Sequence, residues 1–361
     1  MVGPNFPTVN ATGAVANTNV NELVASLTKL SIVGKPFNSD VVSTVSILYL
    51  SGSTGTFVGG VLNPKGEVHF VPYQGNKGQK IDRFGNFSTY SLTYTTTQAY
   101  AGGVLAPNGD IHFIPSQAAV GQKISADNVV STYSLVYTDV NGAYLGGCLM
   151  PNGEIHFANE YATVGQKVST SGVVSTYSLI HTYNGFFVPY QGGALDAQGN
   201  MHMIPYSARV GQKVSLNGTV STYSLVYTTN FAYAGGVLAP NGDLHFVPYF
   251  AEVGQKVSSG GVVSTYSLTY TASSAYIGGC LAPNGDIHFA PWDATVGQKV
   301  SAEGIVSTYN IPIGGAGFAF YHPGTSAVWF FTRANNPAVK VNIPSAREVS
   351  GVSLSPWMNK F

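Results

Sequence analysis

VVSTYSLVYT runs from Val129 to Thr138, and nearly the same ten letters return from Val173, Thr219 and Val262. Looser copies begin at Val41, Asn86 and Ile305. Val, Thr and Tyr dominate the segment and no helical period runs through it, so it reads as a strand. Just upstream stands AGGVLAPNGDIHFIP, Ala101–Pro115. Its AGGVLAP and DIHFIP are two more strands, joined by Pro107-Asn108-Gly109. Pro fixes its own φ there, and Asn and Gly tolerate positive φ, which makes a tight turn. QKIS, Gln122–Ser125, is a third strand, and Asp127-Asn128 turns the chain into the fourth. One unit is therefore four strands.

The Gly-Gly pairs set the period. They begin at Gly59, Gly102, Gly146, Gly192, Gly235 and Gly278, in steps of 43, 44, 46, 43 and 43 residues, with a degenerate copy at Gly314. Self-similarity at about 40–45 residues, with four strands per unit, predicts an all-β, seven-bladed β-propeller. The paired glycines suit the innermost strand, where backbones crowd around an axis. The fourth strand suits the outer rim. A lone fourth strand, VVSTVSILYL from Val41, precedes six full units, and the seventh unit supplies only three strands. The entering strand is expected to complete that last blade and close the ring, leaving no open sheet edge inside the array. An open solenoid would need capping repeats, and this strand makes a poor cap.

The expected domains are an N-terminal arm over residues 1–40, the propeller over 41–344 and a tail over 345–361. Thr18–Leu30 reads as a short amphipathic helix with Val20, Leu23, Val24, Leu27 and Leu30 on one face. These five, with Trp357 and Phe361 of the tail, are the candidate docking residues for a partner chain.

Only 9% of the 361 residues are charged, with 16 basic and 16 acidic side chains. Typical globular proteins carry roughly 25%. There is no basic run, so nucleic acid is not an expected partner. No basic-then-apolar leader and no apolar run of about 20 residues occur, so neither a signal peptide nor membrane insertion is expected. The two cysteines, Cys148 and Cys280, stand where other repeats carry Val61, Val104 and Val237, and so read as buried small hydrophobes.

Six histidines recur at one repeat position: His69, His112, His156, His202, His245 and His288. Equivalent positions on different blades lie around a wheel, not at a point, so they cannot converge on one metal ion. They read as buried hydrogen-bonding residues, with Ser or Thr of the fourth strand as the expected partner. No cofactor is expected. The repeated Gln-Lys pair, such as Gln122-Lys123, reads as a lysine set against the acid of the first hairpin. No nucleophile elbow, HExxH, phosphate loop or CxxC is present, and no asymmetric pair of acids stands out at the inner loops. The expectation is therefore no enzyme.

Repetition offers a different function. A site built from one blade exists in several copies, and multivalency multiplies weak affinities. The candidate ligand-binding aromatics are Tyr100, Tyr144, Tyr190, Tyr233 and Tyr276 before the glycine pairs, and Trp292 in a loop.

The unit GGVLAPNGDIHFIP resembles propeller repeats of structural proteins from tailed phages and large aquatic viruses. In period alone it is similar to Kelch and WD-repeat propellers. The resemblance implies a virion-associated interaction protein, on a tail or capsid and made in the host cytoplasm. Its implied partners are other virion proteins and a cell-surface glycan or receptor. The alternative is a soluble multivalent sugar-binding lectin.

Overall fold

The computed structural model describes residues 6–9, 15–18, 41–45, 55–312, 315–332 and 338–343. The chain divides into two compact units, Met1–Ser39 and Asp40–Phe361. In the first, Phe6–Val9 and Val15–Thr18 pair as an antiparallel hairpin. Thr18, expected to open a helix, ends a strand instead. Val20, Leu23, Val24, Leu27, Leu30, Trp357 and Phe361 lie outside the described residues.

The second unit contains seven four-stranded antiparallel sheets, the blades of a β-propeller. Blade two shows the plan: Tyr100–Leu105, Ile111–Pro115, Val120–Ile124 and Val130–Ser134, in that spatial order. Blade seven is Ala316–His322, Ala327–Thr332 and Ala338–Asn342, completed by Val41–Val45. The entering strand pairs antiparallel with Ala338–Asn342, from Val41 opposite Asn342 to Val45 opposite Ala338. The ring closes as the repeat count predicts.

The glycine pair is a β-bulge on the innermost strand. Tyr100 pairs with Pro115, and the register then shifts so that Gly103 pairs with Phe113. The first glycine of each pair lies in the left-handed region, with φ between +65° and +109°. Neighbouring blades meet there backbone to backbone. A Cβ on Gly102 would come within 2.8 Å of the Gly146 Cα. Only glycine permits both the φ and the approach.

The second strand of every complete repeat is buried along its whole length. Its side chains alternate between the two neighbouring blades. Phe157 packs with Val104 and Ile114 of blade two, while Ala158 packs with Met203 of blade four. Cys148 and Cys280 are free thiols, and burial pushes both up to about 12.

The letters VGQK in the third strand each have a separate task. A Cβ on Gly121 would collide with the ring of Tyr133, which lies across it from the fourth strand, and the same holds at Gly78, Gly165, Gly211, Gly254 and Gly297. Gln122 is fully buried, and its Oε1 accepts from the backbone N–H of Thr93 and Tyr94 of blade one at 3.0 and 2.8 Å. Gln166, Gln212, Gln255 and Gln298 make the same staple to the preceding blade. Lys80, Lys123, Lys167, Lys256 and Lys299 pair with Glu67, Asp110, Glu154, Asp243 and Asp286 at 2.5–3.0 Å.

The histidines are buried, and their partner corrects the expectation. His112 Nδ1 faces the Tyr133 hydroxyl at 3.2 Å, on the fourth strand of its own blade. His69, His156, His202, His245 and His288 face Tyr90, Tyr177, Tyr223, Tyr266 and Tyr309 in the same way. A tyrosine can reach across the third strand because that strand carries a glycine beneath its ring; serine or threonine is too short. Desolvation pulls His69, His112 and His245 down to about 4 and His288 to about 3.

Candidate functional site at the loop face

The antiparallel order sends the loops between second and third strands, and the loops between blades, to one face of the ring. The tight hairpins go to the other. On the loop face one repeat position follows the second strand directly: Tyr73, Ser116, Glu160, Tyr206, Tyr249 and Trp292. Its carbonyls stitch neighbouring blades. The backbone N–H groups of Ala99, Ala143, Ala232, Ala275 and Gly315 donate to the carbonyls of Tyr73, Ser116, Tyr206, Tyr249 and Trp292. At the junction of blades three and four Pro189 replaces the alanine. It has no N–H, and the stitch to Glu160 is not made.

Aromatic rings run along this face over blades four to six. Phe187 meets Phe231 at 6.1 Å between centroids, Phe231 meets Tyr206 at 5.0 Å, Tyr206 meets Tyr249 at 5.7 Å and Tyr249 meets Trp292 at 6.5 Å. Phe250 packs against both Phe231 and Tyr249. Phe186 and Phe187 are exposed, while Tyr206, Tyr249 and Trp292 are half-buried. Phe231 is held at φ +61°, where blades one and three place Gly55 and Gly142. A bulky residue in the left-handed region is a strained choice, and such strain gathers at functional sites.

Glu160 is a carboxyl set in this otherwise uncharged repeat position. Its Oε2 and the Ser116 Oγ both stand close over Gly142, 3.3 and 3.2 Å from where a Cβ would be. Desolvation pushes Glu160 up to about 7. It stands close enough to Tyr206 to help hold that hydroxyl protonated, after burial and Tyr249. Beside it Asn159 replaces the proline of the other repeats and is fully buried, with neither amide atom hydrogen-bonded. Gln191 Oε1, on the innermost strand of blade four, is likewise buried without a partner. Orphaned buried amides of this kind call for an explanation such as a ligand or bound water. A carboxyl poised near neutrality can donate or accept a proton toward a hydroxyl lying across the rings.

Five of the six aromatics singled out in the sequence are elsewhere. Tyr100, Tyr144, Tyr190, Tyr233 and Tyr276 are fully buried inside the blades. Each hydroxyl donates to a backbone carbonyl, those of Val120, Val164, Val210, Val253 and Val296, at 3.0–3.1 Å. They offer no face to a ligand, because the bulge that follows turns them into the sheet. Trp292 alone belongs to the loop-face run. Glu160, Asn159 and Phe231 went unread, although each is a departure from its repeat column. Among the described residues no three His, Cys, Asp or Glu side chains gather as a metal site. None of the described helices is long and apolar enough to cross a membrane.

No protein-family model matches the chain, and no curated protein matches its sequence. Solved structures match its fold. Virginiamycin B lyase from Staphylococcus aureus superposes with a TM-score of 0.71 at 16% identity, over 84% of this chain and 99% of that one. A streptogramin B lyase does so at 0.71 and 20% identity, over 84% and 97%. Kuenenia stuttgartiensis hydrazine synthase does so at 0.62 and 10% identity, over 81% and 99%.

At these identities the likeness is one of fold alone. It nevertheless corrects the expectation of no enzyme. The same ring carries lyases, so missing sequence motifs do not exclude catalysis. Assembling a site from loops of several blades leaves no contiguous motif to read.

Proposed function

We propose that the chain is an interaction propeller that binds carbohydrate along its loop face and serves as a host-attachment component of a virion. The observation that carries the reading is the run Phe187, Phe231, Tyr206, Tyr249 and Trp292. Rings with an apolar face and a polar edge suit the C–H faces and hydroxyls of sugars. Small-molecule sites combine such walls with a few polar groups, here Glu160. The virion setting is supported by the type of repeat.

A glycan array, followed by titration monitored through Trp292 fluorescence, tests the ligand. Tyr249→Ala is expected to weaken binding at least tenfold. Glu160→Gln is expected to bind equally at pH 6 and at pH 8, whereas the native chain loses affinity as Glu160 ionises through about pH 7. An array without hits sinks the carbohydrate reading. Binding by a protein absent from purified particles would leave the lectin and remove the virion.

A further inference from the structure

On the opposite, hairpin face, blade four breaks the pattern that the other repeats keep. In blades two, five and six the first hairpin begins with Ala106, Ala239 or Ala282 and carries Asp110, Asp243 or Asp286 four residues on. That aspartate takes the lysine of the third strand. Blade four has Asp196 and Asn200 at these places. Its acid has moved by four residues, away from the lysine and onto the histidine.

Asp196 is fully engaged where it stands. Oδ1 accepts from the backbone N–H of Gln198 and Asn200 at 2.9 and 2.8 Å. Oδ2 accepts from Asn200 Nδ2 at 2.8 Å and from His202 Nε2 at 3.0 Å. The carboxylate sets the tautomer, so Nε2 carries the proton and the Tyr223 hydroxyl donates to Nδ1 at 2.8 Å. Asp196 is 6% exposed and presents little charge to a ligand.

Lys213 is left over. Among the described residues it makes no ion pair, although its five counterparts all do. It borders a cleft of about 280 Å³ between the first hairpin of blade four and the last turn of blade five. Gln198, Asn200, Ser259 and the Gly260-Gly261 backbone line it as well, and Asp196, His202, Tyr223 and Val257 complete the wall. Gln198 Nε2 donates to the Ser259 carbonyl at 2.6 Å and ties the two sides together.

We propose that this cleft binds a hydroxylated carboxylate of single-ring size, a sugar acid, with the carboxylate on Lys213. An ammonium is the natural point-charge partner of a carboxylate. Asp196 borders the cleft with both oxygens already engaged, and the amides, hydroxyl and peptide groups around it suit ring hydroxyls. The cleft lies at the lower end of small-molecule sites, which span several hundred Å³, so one ring fills it. This site is independent of the aromatic run on the other face.

Calorimetric titration with glucuronate tests it, with glucose and acetate each carrying half of the chemistry. Glucuronate should bind saturably and at least tenfold more tightly than either. Lys213→Met should weaken it at least tenfold. The double variant Asp196→Ala/Asn200→Asp copies blades two, five and six, gives Lys213 its usual carboxylate, and should abolish binding. Trp292→Ala should leave glucuronate binding unchanged, which separates this cleft from the carbohydrate reading of the loop face. Absence of saturable binding by the native chain, or binding that survives Lys213→Met, overturns the proposal. If the double variant does not fold, Lys213→Met decides alone.

Discussion

Blades two and four are spelled alike inside and differently where they meet solvent. Both bury a tyrosine before the glycine pair, a histidine under a fourth-strand tyrosine and a glutamine that staples the preceding blade. On the loop face blade two carries a small, buried Ser116 where blade four carries the half-buried Tyr206. On the hairpin face the Lys123–Asp110 pair has no counterpart at Lys213. The interior is held constant because each blade must fit two neighbours. The rims are tied to their neighbours mostly through backbone groups, which leave the side chains freer to vary, and there the copies diverge. In such an array, departure from the repeat marks what is particular to the molecule.

The sharpest way to stress the constant interior is acid. His69, His112 and His245 are buried neutral, with folded values near 4 against 6.5 unfolded. The unfolded chain therefore binds more protons between these values, and stability falls as pH drops from about 6.5 toward 4. Each unit of depression is worth about 1.4 kcal/mol. Three such groups together approach the roughly 5–15 kcal/mol margin of a folded domain. Denaturant melts from pH 8 to pH 4 should show a steep loss beginning near 6.5. A flat profile down to pH 5 would mean that the histidines are charged or reachable by water.

A smaller effect separates inside from rim by one methyl group. Gly121→Ala drives a Cβ into the Tyr133 ring and should cost about 3 kcal/mol, the upper part of the overpacking range. Gly172→Ala, in the last turn of blade three, meets nothing within 4 Å and carries only the strain of φ +83°. It should cost about 1 kcal/mol. Equal losses in urea midpoint would erase the distinction.

The smallest effect concerns the lysines. Lys123→Met removes a half-exposed pair and should cost about 0.5 kcal/mol. Lys213→Met should cost nothing measurable. A larger loss for Lys213 would show that it has a structural partner after all.

The ring was legible in the sequence because turn and strand chemistry is local and was written seven times. The closing strand was legible as a surplus at one end and a deficit at the other. What could not be read were contacts fixed by the bulge. Tyr100 precedes a left-handed glycine, and only the resulting register shift sends its ring into the core. The His112–Tyr133 contact spans 21 residues and depends on Gly121 between them. Glu160 could have been found by comparing columns, since every other repeat places an uncharged side chain there. Its raised pKa could not, because that depends on how loops of adjacent blades close over it.

The closure of blade seven has a consequence for how the protein is made. Residues 41–45 leave the ribosome roughly 290 residues ahead of their partners at 338–342. At roughly 5–20 residues per second, that strand waits for tens of seconds. Until then the nascent array holds an uncovered apolar face on its first blade, around Phe70, and a free strand upstream of it. Blades one to six can condense in turn, each against its predecessor, but the circle is completed only once residues 338–342 have emerged. A ribosome stalled before residue 338 would therefore hold an open arc whose free strand at 41–45 can pair with residues 338–342 of a neighbouring chain.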